Sequence, residues 1–288
     1  MPSFCFLALA ALAAAAQPSV RVITRAGAAP GEAALVVVRG QMAGHPPAGS
    51  LAGQPLHFWR GKRGDYLALA GFDLDISTGA HRLKLELRGK GGRLHYWSSE
   101  ILVKPKAFPV EDVRVDEKYV EPSRAEELRA EAEASGLRRL FARAGPRPLF
   151  ESRSFRSFRS PIPGALSSRF GERRFFNGVP KAPHSGADLR AKMGVPVKAA
   201  ARGRVALVAD LFYSGWTIVL DHGLGLYTLY AHLSRVDVKQ GQLVRQGRRL
   251  GLVGATGRVT GPHLHWGAKL DGARIDPFCL VALPLSRY

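Results

Sequence analysis

From Ser19 to about Lys104 the chain alternates short apolar runs with glycine and proline breaks: ALVVV, LHFW, DYLALA, HRLKLEL, RLHYW and EILV. Between His81 and Leu87 the alternation is strict, and Leu83, Leu85 and Leu87 fall on one face of an extended segment. Short strands at this spacing predict an immunoglobulin-like β-sandwich, read here as a scaffold or spacer. The period then changes. Ser123 to Ala142 is rich in Glu, Arg and Ala, Ser123 and Glu126 form a capping box, and Gly145 and Pro146 follow the end. Leu128, Leu137, Leu140 and Phe141 are the residues expected to pack from this helix. SRSFRSFRSP, in which arginine, serine and phenylalanine interleave before Pro161, is expected to lie as an ordered linker on the domain that follows.

After Ser160 helix signals are few. Val197, Val205 and Leu207 sit in strand-like runs, WTIVL and LYTLY flank the hairpin loop DHGLG, and LGLV precedes a glycine-rich loop, GATGRVTG. That loop lacks the Gly-Lys-Ser/Thr ending of a phosphate loop. The expected architecture is mainly β. It comprises a signal peptide over 1–16, an N-terminal sandwich over 17–110, a helical linker over 111–159 and a C-terminal antiparallel β domain over 160–288.

Charge and cysteine content narrow the class. Lys and Arg number 42 against 23 Asp and Glu, a formal net charge of +19. Such a field favours polyanions, anionic cell-wall polymers and lipid surfaces among them. No nucleic-acid-binding motif accompanies it, so nucleic acid is not an expected partner. The segment MPSFCFLALAALAAAAQPSV is apolar and then abruptly polar, with Ala14 and Ala16 in an A-x-A pattern before Gln17. It predicts an exported protein, periplasmic or secreted, whose mature chain has no transmembrane segment. The first basic residue is Arg21, so the charged start of such a signal is missing. Cys5 would leave with the signal. Cys279, in PFCLVAL, is expected in the core, and no disulfide is expected within one mature chain.

Candidate chemistry concentrates after Ser160: His184 and Asp188 in PHSGAD, His232 in YAHLS, and His263 and His265 in GPHLHWG. Zinc takes imidazole nitrogen and carboxylate oxygen, and a catalytic site needs only three protein ligands. Five groups therefore suffice for three ligands plus two imidazoles for proton transfer. HLHWGAKL, the pair Asp271-Gly272 and ARID read as a hairpin with a type I′ turn. Positions i and i+2 of a strand share a face, which points His263 and His265 at one site and Leu264 and Trp266 into the core. Pro183, Ser185 and Gly186 argue against a helix through His184 and Asp188, so this pair is placed on a loop entering a strand. No glutamate lies between the candidate ligands as in H-E-x-x-H enzymes. His222, in the DHGLG turn, reads as structural, and His45, His57, His81 and His95 lack metal-like spacing. Spacing leaves open which of His263 and His265 would hold a metal.

These motifs, with SSRFGER, GVPVKAAARGRV, DHGLGLYTLYAHLS, GRRLGLVGATG, TGPHLHWG and the closing IDP, resemble the LytM/lysostaphin-like (M23) zinc metallopeptidases over about Ser160 to Leu280. The resemblance implies a Zn2+-dependent endopeptidase that cuts the peptide cross-links of bacterial peptidoglycan, D-alanyl cross-links rather than glycine bridges. It implies that 160–288 is the peptidase domain, that His184, Asp188 and His265 bind the zinc, and that His232 and His263 are catalytic. FFNGVPKAP and DLFYSGWT would shape the groove, with Trp216 as a wall. Some relatives that have lost ligands are non-catalytic wall-binding activators of amidases; the presence of all five positions here counts against that alternative. In some relatives an asparagine from an N-terminal segment occupies the open zinc position. The single asparagine here, Asn177, lies in the C-terminal domain, so that form of latency is not expected.

Overall fold

The computed structural model describes residues 18–89, 92–114, 117, 120–150 and 155–288. The expected signal peptide over 1–16, and Cys5 with it, lie outside the described residues. Among the described residues no helix is long and apolar enough to cross a membrane.

The N-terminal strands are β1 (Ser19–Thr24), β2 (Ala33–Arg39), β3 (Ala48–Leu51), β4 (Gln54–Pro55), β5 (Trp59–Arg60), β6 (Tyr66–Gly71), β7 (Gly79–Arg88) and β8 (Leu94–Val103). They form two antiparallel sheets, ordered β1-β2-β6-β5 and β4-β3-β7-β8. Lettered along the chain, these are A-B-E-D and C′-C-F-G, the immunoglobulin arrangement. Leu83, Leu85 and Leu87 do face inward and pack with Val36, Ala68 and Phe72.

β2 departs from simple alternation, because Ala33 to Val38 are all buried. Ala34, Val36 and Val38 fill the sandwich core. Ala33, Leu35 and Val37, on the other face, join a second core with Trp59, Leu67, Phe150 and Trp266. A strand covered on both faces reads as a continuous apolar run, which is what ALVVV is. The sandwich, read from the sequence as a scaffold or spacer, is thus packed on the C-terminal domain through an apolar sheet face. Polar contacts rim this junction. Arg274 Nη2 lies 2.5 Å from Asp73 Oδ1 and 2.6 Å from Asp75 Oδ2. His57 Nε2 lies 3.0 Å from Asp271 Oδ1.

The connecting region is strand β9 (Val110–Val113), helix α1 (Arg124–Phe141) and an irregular stretch. Ser123 caps α1 in the expected capping box with Glu126. Phe141 packs edge-on against Tyr227 at 5.4 Å between ring centroids, with Leu137 and Leu140 nearby. Leu128 is 50 % exposed and does not pack as expected. The C-terminal end of α1 meets the C-terminal domain through Leu137, Leu140 and Phe141. In the Arg/Phe stretch, whose residues 151–154 lie outside the described residues, Phe155 and Phe158 are buried against Phe150, while Arg156 and Arg159 face solvent.

Beyond it lie β10 (Leu166–Ser168), β11 (Arg173–Phe176), β12 (Val179–Pro180), β13 (Gly186–Arg190), β14 (Pro196–Lys198), β15 (Gly203–Leu211), β16 (Gly215–Asp221), β17 (Leu226–Val236), β18 (Leu243–Val244), β19 (Arg249–Val253), β20 (His263–Leu270) and β21 (Ala273–Ile275). The main sheet runs β10-β13-β20-β17-β16-β15-β18, with β19, β14 and β21 branching from it. β9 pairs parallel with β11, so the inter-domain segment adds a strand beside the C-terminal domain. A short helix, α2 (Pro277–Ala282), follows. Its signal was present in the sequence: Asp276 as N-cap, accepting from the Phe278 N–H, and proline at the first helical position. Cys279, on this helix, is fully buried, as expected, and its thiol lies 2.9 Å from Glu32 Oε2.

Candidate metal centre and catalytic groove

β20 lies between β13 and β17, with Asp188 opposite His265 on one side and Ala231 opposite His265 on the other. Cross-strand partners share a sheet face, so Asp188 and His265 meet by register alone. Leu264 and Trp266 are fully buried on the opposite face, and the turn residues Asp271 and Gly272 have φ of 48° and 82°, as a type I′ hairpin requires. His184 enters from the loop before β13. A side chain at Gly186 could not coexist with the His265 ring: a Cβ there would lie 2.7 Å from His265 Nε2.

Three donor atoms converge. His184 Nε2 is 3.0 Å from Asp188 Oδ1 and 2.9 Å from His265 Nδ1, and His265 Nδ1 is 2.8 Å from Asp188 Oδ1. Donors sharing one tetrahedral ion at roughly 2.0–2.1 Å would stand about 3.3 Å apart, so these three atoms are close enough together to share one. The surroundings fit a cation as well. His184 Nδ1–H donates to the Arg169 carbonyl at 2.9 Å, which turns the Nε2 lone pair to the cluster. Arg174 Nη2 donates to Asp188 Oδ2 at 2.7 Å, leaving Oδ1 for the cluster. Burial alone would raise the Asp188 pKa. Its side-chain contacts with His184 and His265 override it and hold the carboxyl well below the usual range. Burial lowers the His265 pKa, partly offset by Asp188.

His232 reaches this face by a backbone irregularity. In a regular strand it would follow Tyr230 into the core. Instead it has φ of +61°, its N–H leaves the ladder for the Ser214 carbonyl at 2.9 Å, and the β16–β17 register shifts between Trp216 and Ile218. A bulge of this kind re-aims a side chain beside a site. His232 Nδ1–H donates to the Thr256 carbonyl at 2.8 Å, and His263 Nδ1–H to the Gly261 carbonyl at 2.9 Å. Their ring centroids are 4.8 Å apart, and His263 Nε2 is 3.8 Å from Asp188 Oδ1. Burial, with His265 and His263 alongside, pushes His232 down to about 3, so it is neutral at pH 7.

All five candidate residues therefore meet at one place, beside a groove of about 350 Å³ lined by His232, His263, Asp188, Arg174, Phe176 and Arg258 among others. Of the two expected wall loops, the first contributes Phe176. Trp216, in the second, is 41 % exposed and does not line this groove. Sequence reasoning gave no role to Arg174 or to the Arg169 carbonyl, although SSRFGER ends next to the first and contains the second. Nothing in an arginine or a backbone carbonyl signals an outer hydrogen bond until folding brings Arg174 to Asp188 and the Arg169 carbonyl to His184.

His222 is structural, as expected. It is fully buried, its Nδ1–H donates to the Arg202 carbonyl at 2.9 Å, and its Nε2 lies 2.7 Å from the Thr228 hydroxyl. That hydroxyl is 2.9 Å from Tyr230 Oη, which accepts from the Ala200 N–H at 3.0 Å. Burial pushes His222 from 6.5 to about 4, against the Arg202 hydrogen bond that raises it. Between these values the unfolded chain binds the extra proton, so stability rises with pH. The contribution is fully present above pH 6.5 and lost as pH falls through about 4, on the order of 3 kcal/mol. Urea unfolding of wild type and His222→Gln across this window checks it: the wild-type slope should flatten in the variant, and equal slopes would refute the assignment.

Residues 182–277 match peptidase family M23. A crystal structure of an M23 peptidase from Pseudomonas aeruginosa superposes with a TM-score of 0.67 at 33% identity, covering 88% of this chain and 95% of that one. Peptidoglycan DD-endopeptidase ShyA of Vibrio cholerae is 41% identical over 125 residues, 43% of this chain and 29% of that protein. DD-carboxypeptidase/endopeptidase Mpg of Neisseria meningitidis is 44% identical over 101 residues, 35% of this chain and 23% of that protein. The chain thus spans under a third of the length of these curated relatives.

Proposed function

The chain belongs to peptidase family M23, and from that premise we propose that it is a zinc-dependent endopeptidase cleaving peptide cross-links of peptidoglycan outside the cytoplasm. The observation that carries this reading is the convergence of His184 Nε2, Asp188 Oδ1 and His265 Nδ1 within 2.8–3.0 Å of one another, with two further imidazoles beside them. We assign those three atoms as ligands. Two imidazoles and one carboxylate, with a position left open, are a donor set that suits zinc. When bound, zinc supplies Lewis-acid chemistry, lowering the pKa of water towards about 7 and polarising an amide carbonyl.

The protein's own groups complete the reaction. His232 and His263 each spend Nδ1–H on a backbone carbonyl, which leaves Nε2 of each ring facing the groove for proton transfer. Such a pair can take the proton of an attacking water, hydrogen-bond a developing oxyanion once protonated, and return the proton to the leaving amine. Arg174 and the Arg169 carbonyl orient the proposed ligands through these hydrogen bonds. The two DD-endopeptidase relatives favour D-alanyl cross-links as the bond cut, and the net charge of +19 favours retention on anionic wall polymers.

The test is digestion of purified peptidoglycan with mass spectrometry of the products, with and without chelator. Chelator-sensitive release of peptides opened at the cross-link is expected. Undiminished release under chelation, or wall binding without any release, would reject the reading, the second in favour of a non-catalytic wall-binding role.

A further inference from the structure

Strand β8 ends its sheet. β7 pairs with all ten of its residues on one side, and no strand pairs with it on the other. Among the described residues no backbone hydrogen bond leaves that outer side. Alternate residues of β8 therefore hold out unpaired N–H and C=O groups, a template for a further strand. The other edges of the molecule are blunted. Every other edge strand among the described residues has six residues or fewer. β1, the next in length, carries the exposed Arg21, β4 and β12 are two-residue strands ending in proline, and β9 carries Glu111 and Asp112. β8 has none of these devices. LHYWSSEILV contains no proline, lysine or arginine, in a chain with 42 Lys and Arg. Its single acid, Glu100, lies 3.7 Å from Arg82 on β7.

The side chains of β8 leave apolar surface on both faces of this edge. Tyr96 and Leu102, on the outward face, are 79% and 62% exposed. Trp97 and Ile101, on the inward face, are only partly buried where they pack on the rim of the sandwich core. These four positions make the strand complementary to itself run backwards. In an antiparallel pair, opposite residues share a sheet face. A two-fold axis at Ser99 sets Tyr96 opposite Leu102 of a second copy, Trp97 opposite its Ile101, and Ser98 opposite its Glu100. The exposed aromatic thus meets the exposed aliphatic twice, and the acid meets a hydroxyl rather than itself. Moving the axis to Ser98 would set Tyr96 against Glu100 and separate Trp97 from Ile101.

We infer that β8 is a homodimerisation edge, which pairs antiparallel with β8 of a second copy about a two-fold axis at Ser99 and joins two four-stranded sheets into one of eight. Such a contact is isologous and closes on itself, so it yields dimers rather than filaments. The β1-β2-β6-β5 sheet lies between this sheet and the C-terminal domain. Both C-terminal domains of the dimer therefore stand on the same side of the joined sheet. A single strand pair is small beside the roughly 1,200–2,000 Å² of a stable interface, so association belongs in the micromolar range. The net charge of +19 on each copy opposes it. Salt screens that repulsion, over about 8 Å at physiological ionic strength, and leaves the apolar pairs intact.

The experiment is sedimentation velocity of the full chain across the micromolar range, at low and high salt. A monomer–dimer equilibrium that tightens as salt rises is expected. Tyr96→Lys removes both Tyr–Leu pairs and should weaken the dimer roughly 10–30-fold. Because Tyr96 is exposed, the unfolding midpoint should stay at the wild-type value. Adding Leu102→Glu sets opposite charges across the strand pair and should recover most of the loss. A wild type that stays monomeric throughout, or a dimer that persists in Tyr96→Lys, overturns the assignment of β8. A dimer that dissociates as salt rises would be held by charges and not by this edge. A double variant no better than Tyr96→Lys alone would remove the pairing about Ser99, and the proposal with it.

Discussion

Asp188→Ala is expected to empty the metal site and end cleavage. Asp188 Oδ1 lies 3.0 Å from His184 Nε2 and 2.8 Å from His265 Nδ1, while Oδ2 accepts from Arg174 at 2.7 Å. The truncation removes one proposed ligand and the nearer of the two carboxylates beside Arg174, 2.7 Å away against 3.6 Å for Glu111, so more of the arginine's positive charge opposes an incoming cation. Loss of an outer hydrogen-bond partner alone costs roughly 10–100-fold in metal affinity, so Arg174→Ala should show that smaller effect. Asp188→Ala and His184→Ala should fall from about one zinc per chain to near none. Elemental analysis of purified variants, alongside peptidoglycan digestion, reads this out. Full zinc in both ligand variants would mean that the metal is bound elsewhere.

Part of this site was legible because register does most of the work. In GPHLHWG two polar imidazoles alternate with Leu264 and Trp266, and period-2 geometry puts both rings on one face without further information. HSGAD could be assigned to a loop entering a strand because its glycine and proline neighbours exclude helix. His232 was legible only through resemblance. Alternation would have sent it into the core with Tyr230, and the turn to φ of +61° depends on Ser214 and Thr256, distant in the chain, accepting its hydrogen bonds. The same limit applies to β2. ALVVV signals a strand buried on both faces, but a run of apolar letters does not say that the second partner is the C-terminal domain. Leu128 failed for the converse reason: helical spacing identifies an apolar stripe but not which members find a partner, and next to Leu128 the helix meets the C-terminal domain through the polar side chains of Arg129 and Glu133.

The separation of ligand from proton carrier gives the second large effect. His232 and His263 face the cluster from neighbouring strands, 4.8 Å apart between ring centroids, and each is oriented by its own backbone carbonyl rather than by a ligand residue. His232→Ala and His263→Ala should therefore keep zinc and fold while turnover drops. General acid–base contributions run roughly 10²–10⁴-fold, and on the proposed mechanism, in which both rings act on protons that move only as the amide is attacked, the loss should appear in kcat. Because the two rings serve one proton path, the double variant should lose little more than the worse single variant. Additive losses would indicate two separate roles. Zinc loss in His263→Ala with retention in His265→Ala would exchange the two histidines of H-x-H. Near-normal turnover in both single variants would leave the metal and water as the whole catalyst, and the histidine-pair mechanism would have to be given up.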